Sequence, residues 1–234
     1  MKRFSVVLCV LLFFSCAELK DYAENLPGRE LSQSQIANGL KEALDNGIEK
    51  QVTKLTKTDG FYRNEMVKIL LPAELQKVES GLRSIGLDNL ADEGIKALNR
   101  AAEDAVGRAT PIFVDAVKEM TFTDAKSILM GDDNSATAYL EDKTESKLYD
   151  EFNPVIKSSF DRVGADQIWS NLISRYNQIP FVEKVNPDLT DYVTHQALNG
   201  VYTMIGEEEK DIRNNISART STLLRQVFAL QDKE

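Results

Sequence analysis

A single histidine, His195, limits the catalytic and metal chemistry open to this chain of 234 residues. A serine or cysteine nucleophile with a histidine base could use only this residue, and no Gly-x-Ser-x-Gly turn is present to carry such a serine. A di-iron carboxylate site needs two Glu-x-x-His pairs, and a zinc site built from Cys and His needs several of these residues. We therefore assign no catalytic residue, no metal site and no cofactor.

Polar residues inside an alanine-rich stretch are the best candidates for a binding site. Asn99, Arg100 and Glu103 lie within about one turn of a predicted helix, and Arg100 and Glu103 share one of its faces. The interpretation we favour is a buried ion pair that joins two helices. The alternative is a ligand pocket, which would be formed by Asn99, Arg100, Glu103 and Asp124.

The chain is acidic, with 28 Lys and Arg against 37 Asp and Glu, and its formal net charge is −9. Nonspecific binding to nucleic acid depends on clustered basic residues, so we expect no nucleic-acid partner. The densest acidic run is Glu207-Glu208-Glu209, followed by Lys210. We interpret it as a solvated helix face with local ion pairs.

The first sixteen residues have the pattern of an export signal: Lys2 and Arg3, an apolar run, and a small-residue processing site. The run is shorter than the roughly 20 apolar residues of a membrane span. Its end, residues 13–16, is similar to a lipobox, in which Cys16 would receive the lipid and become the first residue. Ordinary cleavage at Ala17 is the alternative, and it would give a soluble periplasmic protein.

These patterns divide the chain into a signal peptide (1–15), a lipid-anchored N-terminus and tether (16–32) and a helical domain (33–234). In the domain, apolar residues recur every three or four positions, which is typical of amphipathic helices. We expect an all-α, single multi-helix domain of about nine helices. Two apolar runs, 67–71 and 179–182, are the best strand candidates, and they allow one very short two-stranded β patch.

Capping residues predict where several helices begin. Ser32 or Ser34 is expected to cap the first helix, which would end near Asp59-Gly60. Thr110 and Thr123 are predicted caps of two later helices. Gly39 and Gly47 fall inside the first helix, where they either permit close approach of another helix or are tolerated imperfections.

Several short stretches stand in an order that is similar to a known family. They include Asp59-Gly60-Phe61, Ile69-Leu70-Leu71-Pro72, Asn99-Arg100-Ala101-Ala102-Glu103, Thr123-Asp124-Ala125 and the stretch 223–228. In this order they resemble the bacterial family called domain of unknown function 4197, over nearly the whole mature chain. The resemblance implies an exported or lipid-anchored helical protein of Gram-negative bacteria, and it carries over no catalytic residue.

Together, signal and composition predict an envelope lipoprotein that acts as a non-enzymatic binding or interaction module. Its partners would be the membrane, through the N-terminal lipid, and an envelope protein or a small ligand. Ala17 after the cysteine favours the outer membrane, since Asp at that position is associated with inner-membrane retention in enteric bacteria. The competing hypothesis is an enzyme, such as a hydrolase, with an unrecognised acidic site.

Overall fold

A computed structural model of the chain describes residues 31–84, 86, 88–163, 169–170, 173–174, 177–178, 184 and 188–233. Within these residues the protein forms eight α-helices and no β-strand. The helices are α1 (Gln33–Leu55), α2 (Ala73–Ser84), α3 (Asp88–Val106), α4 (Ala109–Glu119), α5 (Phe122–Leu129), α6 (Ser135–Val163), α7 (Thr190–Asn214) and α8 (Thr222–Phe228). The prediction of an all-α fold is confirmed.

Several predictions fall outside the described residues. These are the signal peptide, Cys16, nearly all of the tether and the candidate strand 179–182. The other candidate strand is described, and residues 68–72 have no regular secondary structure. No helix in the described part of the chain is long and apolar enough to cross a membrane.

Helix α1 begins where the sequence predicts. Ser32 is its N-cap: the Ser32 hydroxyl accepts the backbone N–H of Gln35, and the Gln35 side chain accepts the N–H of Ser32 at 2.9 Å. The helix ends at Leu55, earlier than predicted, because the chain then forms a turn in which the Gly60 N–H donates to the Lys57 carbonyl at 2.8 Å. Asp59 adopts a left-handed backbone conformation in this turn, with φ of 68°.

Two predicted helix starts are wrong by a few residues. Helix α4 begins at Ala109, so Thr110 is not its cap. Pro111 is tolerated as the third helical residue because the first four N–H groups of a helix have no intrahelical partner. Thr121, not Thr123, caps α5, and it forms a capping box with Asp124.

The core lies where α6 packs against α3 and α7 and where α1 packs against α7, α8, α4 and α5. Its largest fully buried side chains include Phe61, Phe113 and Phe152. Close helix approach at Gly39 is confirmed, since a Cβ atom there would lie 2.5 Å from a Val227 methyl group of α8. A real Cβ atom does not come this close to another heavy atom, so any residue other than glycine would require Val227 to shift.

Candidate functional site

A long loop, residues 56–72, connects α1 to α2 and is called the α1–α2 loop below. Loops of more than about 12–15 residues without secondary structure are uncommon in compact domains and are usually functional or disordered. This one is ordered by hydrogen bonds. The Arg63 N–H donates to the Asp59 carbonyl at 3.1 Å, and the Asn64 carbonyl accepts the Lys68 N–H at 2.8 Å.

The second half of the loop alternates between inward and outward side chains. Val67, Ile69 and Leu71 are buried, whereas Met66, Lys68 and Leu70, which alternate with them, are exposed. An extended backbone produces this alternation, because successive side chains point to opposite sides. The apolar run that resembled a strand therefore has a strand's side-chain pattern, but it lies against a helix.

Asn99 of α3 takes the place of a neighbouring strand. Its Oδ1 accepts the Ile69 N–H at 2.8 Å, and its Nδ2 donates to the Ile69 carbonyl at 2.8 Å. Nδ2 also donates to the Ile95 carbonyl at 2.8 Å, and the whole residue is buried. Because an unpaired buried backbone group costs free energy, Asn99 is what allows Ile69 to be buried in a loop.

Glu103, one turn further along α3, holds the first half of the loop. Its Oε1 accepts the N–H of Phe61 at 3.1 Å and that of Tyr62 at 3.4 Å. Its Oε2 accepts a hydrogen bond from Arg100, whose guanidinium also donates to Asp59. Burial disfavours the charge of Arg100, but these two carboxylates raise its pKa above the ordinary value.

The Arg–Glu pair that the sequence favoured is thus present, with Glu103 buried and Arg100 30% exposed, but it joins a helix to a loop. The structure brings Asn99, Arg100 and Glu103 together behind the α1–α2 loop. It places Asp124 at the start of α5, where the hydroxyl and backbone N–H of Thr121 lower the pKa of the carboxylate. A ligand bound by all four residues stays a prediction, and the contacts described for them are internal to the protein.

A second buried network was missed. Glu209 accepts the N–H of Ala136 at 2.9 Å and that of Thr137 at 2.8 Å, at the start of α6, and it pairs with Arg213 at 2.8 Å. The solvated-face interpretation is therefore wrong for Glu209, although Glu207 is exposed and pairs with Lys210. Spacing could have revealed this, because Glu209 lies four residues after Ile205 on the apolar stripe of α7.

His195 lies on the surface of α7 beside an acidic and an aromatic residue. Its side chain is 53% exposed, and Nε2 is 3.6 Å from an oxygen of Asp191. The hydroxyl of Tyr149 donates to the same carboxylate at 2.6 Å, and this bond raises the pKa of Tyr149. Tyr149 and Asp191 are thus joined by a hydrogen bond at the surface, and the imidazole of His195 lies beside them.

Exposed apolar side chains mark the outer side of the α1–α2 loop. Met66 and Leu70 are each 54% exposed, among the most exposed large apolar residues of the described chain. The backbone beneath them is fixed, since the Leu70 carbonyl accepts the hydroxyl of Tyr192 at 2.9 Å and the Met66 N–H donates to Asn64.

Fold and site define an all-α protein in which buried charged side chains hold a long loop and a helix start in place. The family model described as "Protein of unknown function (DUF4197)" matches residues 30–229, and the chain belongs to this family. No curated protein and no solved structure matches the chain. Two of the motifs behind the resemblance, residues 59–61 and 99–103, are contact partners in the fold.

Proposed function

We propose that the protein is a lipid-anchored protein of the bacterial cell envelope and that it acts there as a non-enzymatic binding module through the α1–α2 loop. The observation that carries this proposal is a loop without regular secondary structure whose backbone is nonetheless fixed by buried side chains. Such a loop loses little conformational entropy when it binds. Its exposed Met66 and Leu70 supply apolar contact area for a partner.

The polar residues behind the loop support a binding role over a catalytic one. Asn99 and Glu103 are buried, and their hydrogen bonds go to the loop backbone. A general acid or base must reach the proton that it transfers. Glu103 could do so only after releasing Phe61 and Tyr62, which would dismantle the loop.

The N-terminal sequence supports the anchor. An export signal precedes Cys16, and sixteen residues, 17–32, separate this cysteine from the start of α1 at Gln33. A chain of this length reaches at most about 55 Å even when fully extended. The domain would therefore stay close to the membrane that holds the lipid.

Metabolic labelling tests the anchor. The wild-type protein should incorporate a radiolabelled fatty acid and fractionate with membranes, whereas Cys16→Ser should do neither. Absence of label on the wild type, or equal label on both proteins, would contradict the anchor. The binding role is tested separately and does not depend on this result.

Photo-crosslinking in cells tests the binding role. A photoreactive residue in place of Met66 should give one discrete protein adduct, and the purified adduct partner should bind the purified protein. The matched control replaces Lys147, which is exposed on α6. Adducts of the same size and yield from both positions, or none from Met66, would count against the loop as the binding site.

A further inference from the structure

Building on the proposed function, we propose that the partner contributes an acidic segment that binds a basic and apolar face of the α1–α2 loop. Lys54, Lys57, Arg63 and Met66 line one shallow depression at the end of α1. Lysine and arginine around an exposed methionine suit a segment that carries both carboxylates and apolar side chains. The four residues are called the basic face below.

The local charge is opposite to that of the whole protein. The depression is lined by three basic side chains (Lys54, Lys57, Arg63) and two acidic ones (Asp59, Glu65), which gives 3 − 2 = +1, whereas the chain as a whole carries −9. One of the two acids, Asp59, is engaged by Arg100 from behind and by Arg63 at 3.1 Å. An acidic segment would be repelled by most of the protein surface and attracted to the basic face.

Two of the cations have no competing partner within the described part of the chain. Lys54 and Lys57 are exposed, and neither takes part in an ion pair among the described residues. Lys68, just beyond the face, lies over the ring of Tyr62, with Nζ 4.5 Å from the ring centroid. The charges of Lys54 and Lys57 are therefore the ones available to a ligand.

The geometry favours a protein partner over the anchoring membrane. The basic face lies at the C-terminal end of α1, and the proposed tether joins the N-terminal end. A helix of 23 residues is about 35 Å long. The proposed tether therefore joins the end of the domain that lies about one α1 length from the basic face.

Fluorescence anisotropy with defined probes tests this inference on the purified full chain. The probes are a labelled peptide of alternating Glu and Leu and a labelled peptide of alternating Lys and Leu. The acidic peptide should bind at least about tenfold more tightly than the basic one, and salt should weaken it. Lys54→Glu with Lys57→Glu should reduce its affinity by at least about tenfold.

A matched charge change elsewhere is the control. Lys126→Glu with Lys147→Glu alters two lysines that are also exposed, and it should leave the affinity within about twofold, since distant surface charges are screened. Equal losses in both double variants would overturn the proposal. So would equal binding of the two peptides.

A further measurement replaces the peptides with vesicles of anionic phospholipid. Binding of vesicles without binding of the acidic peptide would assign the basic face to a lipid surface and overturn the proposal. The outcome is distinguishable from failure of the binding role itself. A Met66 crosslink in cells combined with no binding of the acidic peptide would leave that role standing and reject only the acidic partner.

Discussion

Asn99 shows how one side chain can replace a strand. It pairs both backbone groups of Ile69, and it does so from the fully buried face of α3. Substitution Asn99→Leu keeps the approximate volume but leaves the Ile69 N–H and carbonyl buried without partners. Each such group costs roughly 1–3 kcal/mol, so we expect the free energy of unfolding to fall by about 3 kcal/mol in urea denaturation.

Asn214 offers a matched control for that experiment. Its Nδ2 donates to the Lys210 carbonyl four residues earlier at 2.9 Å, as Asn99 does to Ile95, but it is exposed. Asn214→Leu should change the unfolding free energy by less than about 0.5 kcal/mol. Similar losses in both variants would mean that the bonds to Ile69 are unimportant.

Tyr202 provides a pH-dependent prediction. Burial raises the pKa of its hydroxyl to about 12, although a hydrogen bond with Thr144 acts in the opposite direction. A pKa that is higher in the folded state than the ordinary value near 10 stabilises the fold below about pH 10, and that stability is lost as pH rises towards 12.

Unfolding measurements on Tyr202→Phe check this sign. The variant keeps a ring against Phe113, which lies 5.9 Å away between centroids in the wild type. Between about pH 9 and about pH 11 the wild type should lose more stability than the variant. Parallel pH dependence of the two proteins would show that Tyr202 does not titrate abnormally.

What the sequence could predict at this scale depended on where a residue's partners lie. Arg100 and Glu103 stand three apart, so their pairing was predictable, but their contacts with Asp59 and Phe61 cross about 40 positions of the chain. Glu209 was misread because a run of three glutamates suggests solvent. Glu209 is distinguished from the other two glutamates only by its position on the apolar stripe of α7.

At the level of elements, two glycines of α7 show how closely the neighbouring elements pack against this helix. A Cβ atom at Gly200 would lie 2.6 Å from the Phe61 ring, which is fully buried and belongs to the α1–α2 loop. At Gly206 the nearest atom, in Thr137, would be 3.5 Å away, an ordinary contact. The same helix therefore offers a tight site and an open one.

Alanine substitutions at these two sites should have opposite effects on stability. Gly200→Ala should destabilise by roughly 2 kcal/mol, because Phe61 must move in a packed core. Gly206→Ala should stabilise by about 0.5–1 kcal/mol, because alanine favours the helix. Thermal and urea unfolding measure both effects. A stabilising Gly200→Ala would show that Phe61 and the α1–α2 loop can shift to make room for the methyl group.

The presence of the helices could be predicted from the sequence, but the residues at which they begin could be predicted less well. The periodicity of apolar residues shows α1, and its capping box confirms Ser32. For α5 both Thr121 and Thr123 are plausible caps, and the choice depends on Asp124, which completes a box only with Thr121. Helix α6 continues through Pro154, so a proline alone does not mark a helix end.

At the scale of the whole molecule, the described domain has two distinct ends. The N-terminal half of α1 packs on α8 at Gly39, and Ile216, 66% exposed, lies in the connection between α7 and α8. The α1–α2 loop contacts α7 at Gly200, fourteen residues before the helix ends at Asn214. This polarity could not be predicted from the sequence, because it arises from how the helices pack.

That polarity predicts an orientation for the lipid-anchored form of the protein that we propose. Fluorophores on Met66→Cys or Ile216→Cys of the lipidated protein, bound to vesicles with an acceptor on the headgroups, should show weaker energy transfer from position 66. Gly200 and Asn214 are fourteen residues apart on α7, so the expected separation is about 20 Å where α7 lies along the membrane normal. Adding Cys16→Ser should abolish transfer from both positions. Equal or stronger transfer from position 66 would place the α1–α2 loop at the membrane and remove the geometric reason for a protein partner.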